Sequence, residues 1–164
     1  MTDLASHLNG FSTEDATQAL RRCCASKRWV SAMADLRPFE DRAAVHSAAE
    51  ETWGSLEEAD WLEAFRAHPR IGAVGLRERW SRAEQAGVAG ASEDVLQALD
   101  AINGEYENRF GFIFLICASG LTADAMLEAL QARLTGSRDE ELRIAASEHA
   151  KITALRLDRL VDEG

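Results

Sequence analysis

Residues 55–69, SLEEADWLEAFRAHP, contain the sequence signals for both the start and the end of one helix. Ser55 and Glu58 have the spacing of a capping box, in which the Ser oxygen and the Glu carboxylate each accept an exposed backbone N–H. Three apolar residues then recur at the spacing of one helical face: Trp61, Leu62 and Phe65. We expect the helix to stop near Ala67, because Pro69 disfavours the helical conformation at the residue before it.

The same signals recur on both sides of this segment and predict an all-α fold of about eight helices. The other predicted helices are residues 13–24, a short one around 29–33, 41–53, about ten residues between 72 and 90, 92–110, 122–134 and 138–161. Ser12 and Thr122 are placed as N-caps, and Ser137 opens a second capping box. We find no repeat or linker, so residues 1–164 are predicted to form one domain.

One stretch, residues 112–118, does not have helical spacing. It is apolar without alternation and rich in residues that favour strands, which favours a buried strand. An extended segment or a helix remains an alternative, because no partner strand is visible elsewhere in the chain.

Charge limits the classes of partner. The chain has 18 Lys and Arg against 28 Asp and Glu, a formal net charge of -10, and its basic residues are scattered. The electric field around such an acidic protein repels polyanions, so we do not expect nucleic acid as a partner. An anionic small molecule would have to be recognised by a local Arg or by backbone N–H groups.

Cysteine usage and hydropathy indicate a cytoplasmic protein. It has only three cysteines, an odd number, and Cys23 and Cys24 are adjacent, so they do not suit a disulfide framework. The first residues lack the pattern of a signal peptide, and no stretch approaches the roughly 18 apolar residues that span a bilayer. We therefore expect no membrane partner.

Several polar residues could carry chemistry, although each also has an ordinary structural interpretation. His68 is expected at a helix C-terminus, where exposed carbonyls favour the imidazolium, so it is either a proton donor or a simple helix cap. Glu84 and Gln85 could form a solvated face, and Arg156 a surface ion pair. The four histidines lack metal-ligand spacing, so no metal is expected. Cys117 lies in an apolar run and is expected to be inert.

Three segments in order carry a resemblance: HPRIG at 68–72, SRAEQAG at 81–87 and FGFIFLICA at 110–118, followed by LRL at 155–157 in the last helix. Together they resemble the 2-oxo-4-hydroxy-4-carboxy-5-ureidoimidazoline (OHCU) decarboxylases over nearly the whole chain. This family finishes the oxidation of urate to (S)-allantoin, without a cofactor. The resemblance therefore implies a helical, cofactor-independent carboxy-lyase that binds a small ureide.

The resemblance also implies a set of site residues. It assigns catalysis to His68, as the acid that protonates one face of the enolate left when carbon dioxide departs, and to Glu84. It assigns substrate contacts to Pro69, Ser81, Arg82, Ala83, Gln85, Phe114, Leu115, Ile116, Cys117, Ala118 and Arg156. Two other functions stay open: a helical module that binds a ureide without catalysis, and an acid–base enzyme acting on a related ureide. The oligomeric state is also open, with a homodimer as one candidate.

Overall fold

The computed structural model describes residues 3–68, 93–117 and 120–163. Within these residues the chain forms eight helices and no strand, which confirms the predicted all-α class. The helices are α1 (Leu4–Asn9), α2 (Thr13–Cys23), α3 (Lys27–Asp35), α4 (Arg42–Gly54), α5 (Glu58–Arg66), α6 (Glu93–Phe110), α7 (Ala123–Arg133) and α8 (Arg138–Glu163). None of the helices described is long and apolar enough to cross a membrane.

The chain divides into two compact units. The first consists of Met1–Ala67 and Ala150–Gly164, and the second of His68–His149. Helix α8 therefore supplies residues to both units, with its first half in the second unit and its second half in the first.

The first unit is built on the packing of α2 against α3, α3 against α4 and α1 against α4. Its helices begin where short polar side chains accept backbone N–H groups, as Ser12 does from Asp15 and Asp41 does from Ala44. Trp29 is fully buried and its indole donates to the Ala49 carbonyl at 3.2 Å. The other large core residues of this unit include Leu8, Leu20, Met33, Val45 and Phe65.

Two predictions in this unit need correction. Helix α1, capped by Asp3, was not expected, because its six residues are too few for a clear periodic pattern. The capping box of α5 uses Glu57 and Asp60, so the assignment to Ser55 and Glu58 was wrong by two residues. Ser55 instead caps the end of α4, because that helix continues to Gly54.

The second unit contains α6, α7 and the first half of α8, and α6 packs against α7. Helix α6 ends at Phe110, as expected, and Gly111 follows with φ +84°, a conformation that suits glycine. Residues 113–117 are neither helix nor strand, so the prediction of a buried strand was wrong. The predicted burial is correct for four side chains of the segment: Phe112, Phe114, Leu115 and Ile116.

Candidate active site

His68 is buried at the end of a helix. It follows Ala67, the C-cap of α5, and its exposed fraction is 8%. This is the position that Pro69 and helical spacing predicted, since the helix stops before the His–Pro pair. Partial negative charge from the last carbonyls of a helix favours a cation at such a position.

A second histidine contacts the first. The rings of His68 and His149 meet edge to face, with centroids 4.9 Å apart and planes at 88°. His149 lies on α8 and is fully buried. Sequence reasoning missed it, although its position offered a signal: Ala145 and Ile152, four residues before and three after, are buried residues of the same helix.

Side chains from two helices hold the backbone of residues 113–117. The guanidinium of Arg133, on α7, donates from Nη1 to the Leu115 carbonyl. The Cys117 N–H donates to Oε1 of Glu148, on α8, at 3.0 Å. These contacts give the segment polar partners that a strand would find in a neighbouring strand.

Arg133 also belongs to a buried polar network. Its Nε lies 2.7 Å from Oε1 of Glu141, and the hydroxyl of Tyr106 donates to the same oxygen at 2.8 Å. The guanidinium also stacks over the Phe114 ring, 4.6 Å from its centroid. Burial, together with the hydrogen bond to Glu141, raises the pKa of Tyr106 well above its ordinary value. The sequence pattern did not reveal this network, because its members are separated along the chain.

Arg156 lies in the other unit, on the second half of α8, and is partly buried. Cys24, in the same unit, is 1% exposed. Burial raises the pKa of the Cys24 thiol to about 12, and the positive charge of Arg156 opposes this rise. Arg156 therefore acts electrostatically on a buried thiol that stays neutral near pH 7.

A family model described as OHCU decarboxylase matches residues 9–158. The chain belongs to the OHCU decarboxylase family.

Known proteins resemble this family member in sequence and in fold. The uric acid degradation bifunctional protein TTL of Arabidopsis thaliana is 38% identical over 148 residues, covering 86% of this chain and 46% of TTL. An OHCU decarboxylase of Haloferax volcanii is 30% identical over 132 residues, covering 79% of each chain. A crystal structure of OHCU decarboxylase in the presence of (S)-allantoin superimposes with a TM-score of 0.78 at 37% identity, covering 93% of this chain and 99% of that one.

This OHCU decarboxylase family member spans less than half the length of the bifunctional relatives that it matches. It covers 46% of TTL and 32% of the bifunctional protein PucL of Bacillus subtilis.

The structure describes only some of the residues that the family resemblance selected. His68 and the segment Phe114, Leu115, Ile116 and Cys117 belong to the second unit, and Arg156 belongs to the first. The remaining residues fall outside the described part of the chain: Pro69, Ser81, Arg82, Ala83, Glu84, Gln85 and Ala118. Among the residues that are described, no three His, Cys, Asp or Glu side chains are grouped as metal ligands would be.

Proposed function

We propose that this chain decarboxylates 2-oxo-4-hydroxy-4-carboxy-5-ureidoimidazoline to (S)-allantoin, the step that finishes the oxidation of urate to (S)-allantoin, without a cofactor. One observation carries the proposal: His68 is buried at a helix C-terminus in a chain that matches the family over residues 9–158. A buried imidazole at that position is suited to hold a proton and to release it to a bound substrate.

The chemistry needs little from the protein beyond orientation, hydrogen bonds and one proton. Loss of carbon dioxide leaves an electron pair on carbon, and the ring carbonyl next to that carbon of the substrate accepts the pair as an enolate. Hydrogen-bond donors stabilise the developing enolate oxygen. We assign to His68 the delivery of a proton to one face of the enolate carbon, which makes the product a single enantiomer.

The irregular segment would help to bind and shield the substrate. Phe114 and Leu115 are each 1% exposed, so the segment is anchored by a well-packed apolar side. We propose that the backbone groups of residues 114–118 line the pocket. An apolar lining excludes water, and the polar contacts within it become stronger.

Arg156 would supply a positive charge to the substrate. A guanidinium that only clamped the departing carboxylate would stabilise the ground state as much as the transition state, and would add affinity without rate. We therefore propose that Arg156 contacts the ring carbonyl or the ureido oxygen.

The remaining roles fall on residues that the structure does not describe. We propose that Glu84 and Gln85 hold the ring and ureido N–H groups, and that Ser81 adds a hydroxyl contact. The carboxylate of Glu84 would also repel the substrate carboxylate, and departure of carbon dioxide would relieve this repulsion. Pro69 would pack on the ligand, and Arg82 and Ala83 belong to the same binding stretch.

We also propose that residues 1–164 act as one domain in the cytoplasm, because an odd number of cysteines with Cys23 and Cys24 adjacent suits a reducing compartment. All three cysteines are among the described residues, and none of them forms a disulfide. A homodimer is the assembly that we propose to test, by light scattering.

The decisive experiment supplies freshly generated substrate and follows the appearance of optical activity by circular dichroism. Wild-type protein should produce (S)-allantoin faster than spontaneous decay, which yields a racemate. His68→Asn should lower turnover by about 10² or more, the usual size of general acid catalysis. A fully active His68→Asn variant would remove this residue from the mechanism.

Glu84→Gln separates the alternatives further. The variant should fold normally and lose activity or affinity, and unchanged kinetics would make the carboxylate a spectator. Binding of the product by calorimetry without any turnover by the wild-type chain would identify a ureide-binding module. Activity only on another ureide would identify an enzyme with a different substrate.

A further inference from the structure

Two consecutive residues of α8 contact two different parts of the candidate site in the second unit. Glu148 accepts the Cys117 N–H at 3.0 Å, and the ring of His149 meets the ring of His68 with centroids 4.9 Å apart. We propose that Glu148 and His149 are positioning residues: they fix the substrate-lining backbone and the ring of the proton donor. This inference rests on the proposed function of the site.

Glu148 fixes the orientation of one peptide group. Residues 113–117 form no ladder with a strand within the described chain, so side chains set the direction of their backbone groups. The Cys117 N–H points at the Glu148 carboxylate, and the peptide group is planar and trans. The Ile116 carbonyl, on the opposite edge of this peptide, therefore points away from Glu148.

The bond to Glu148 is of a strong type, because its acceptor is a carboxylate. Arg133, on α7, makes a second charge-assisted hydrogen bond, in which its guanidinium donates to the Leu115 carbonyl. Two charged side chains thus fix the backbone at alternate residues of the segment. Loss of either one would let the backbone rotate and would weaken any substrate contact made by neighbouring peptide groups.

His149 restricts the ring of His68. In an edge-to-face pair the positive edge of one ring meets the negative face of the other, so rotation of either ring weakens the contact. Both rings are buried, with exposed fractions of 8% for His68 and 0% for His149, so neither has room to turn freely. A donor ring held in one plane delivers its proton along one direction, which is what a stereospecific protonation needs.

The ring contact is tested by two substitutions at one position. His149→Phe keeps a flat ring of similar size, whereas His149→Leu keeps apolar bulk without a ring. We expect His149→Leu to lower kcat by about 10-fold or more with little change in KM, and to lower the enantiomeric excess of allantoin. His149→Phe should keep most of the wild-type kcat and most of the enantiomeric excess. His7→Leu removes a comparable ring pair, with Phe11 at 4.7 Å in the first unit, and should leave kcat and KM unchanged.

The backbone contact is tested in parallel. Glu148→Ala should raise KM by roughly 10-fold, the size expected if the neighbouring peptide groups lose one hydrogen bond to the substrate, with a smaller effect on kcat. Glu148→Gln keeps an acceptor oxygen and should recover much of the affinity. Asp41→Ala removes another carboxylate bond to a backbone N–H, at 2.8 Å from Ala44, and should change stability but not KM.

Matching far-UV circular dichroism spectra establish that each variant is folded. With an active wild type, wild-type kinetics in His149→Leu or Glu148→Ala would overturn the proposal, as would equal damage from the Phe and Leu substitutions. An inactive wild type would refute the proposed function. In that case the NMR signals of the His68 imidazole would still test whether His149 positions that ring. The His68 signals, assigned by their loss in His68→Asn, should shift in His149→Leu because the neighbouring ring current is gone, and unchanged signals would overturn it.

Discussion

Arg133→Met should destabilise the second unit severely. The Arg133 side chain is 12% exposed and its partner Glu141 is 2% exposed, so this ion pair is shielded from water. The substitution would leave the Glu141 carboxylate buried, with the Tyr106 hydroxyl as the donor that remains of this network. Removing one partner of a buried pair costs about 3–5 kcal/mol.

The loss should appear in the free energy of unfolding. Urea titrations followed by far-UV circular dichroism measure it, and hydrogen exchange of peptides from α6 and α7 localises it to the second unit. The same loss corresponds to a decrease in Tm of about 6–20 °C for a chain of this size. Arg28→Met is the matched control, because Arg28 is 65% exposed and its bond to Asp60, at 3.1 Å, should contribute less than about 1 kcal/mol.

A second substitution tests the physical cause. Adding Glu141→Gln to Arg133→Met removes the buried charge but keeps an oxygen that accepts from Tyr106, so the double variant should be more stable than the single one. If Arg133→Met cost no more than Arg28→Met, or if the double variant were no better, the buried charge would not be the source of the loss.

Three further predictions follow from the pKa values of other groups. Burial raises the pKa of Cys24 to about 12, so iodoacetamide should label it roughly 10³-fold more slowly at about pH 8 in the native than in the unfolded chain; equal rates would contradict this. The pKa of Tyr106 is raised by burial, so tyrosinate absorbance should appear at higher pH in the native protein than in the unfolded chain, and stability should fall as pH rises above about 10, where the unfolded chain ionises. Burial opposes ionisation of Asp158, but hydrogen bonds from Arg42 and His46 outweigh it and lower its pKa. Asp158→Asn should therefore lose less than about 1 kcal/mol near neutral pH, and its difference from wild type in urea melts should shrink as pH falls below about 4. A difference that is constant from about pH 7 to pH 3 would contradict the role of this ion cluster.

Three helix starts that depend on one local side chain were predicted from the sequence. Ser12 accepts from Asp15, Thr122 from Ala125 and Ser137 from Glu140, each within three residues of the cap. The error at α5 shows the limit of such rules. Ser55 could open one helix or close another, and the choice depends on how far α4 extends, which tertiary packing of residues such as Trp53 influences.

The conformation of residues 113–117 could not be predicted from local sequence rules for a different reason. Its apolar composition correctly predicted burial, but a buried strand and a buried irregular segment share that composition. They differ in where the peptide groups find partners. Here the partners are Arg133, 18 residues from Leu115, and Glu148, 31 residues from Cys117, and no periodic pattern marks such pairs.

The candidate site shows the same division between local and distant causes. Pro69 placed His68 at a helix end and the family resemblance selected it as catalytic, whereas the pairing of His149 with His68 is visible only in the fold. Because side chains of α7 and α8 hold residues 113–117, the segment can be only as well ordered as those helices. Arg133 holds Glu141 and the Leu115 carbonyl together, so its loss should weaken both folding and substrate affinity. The exposed Arg28–Asp60 pair lacks such a link, and its loss should affect neither appreciably.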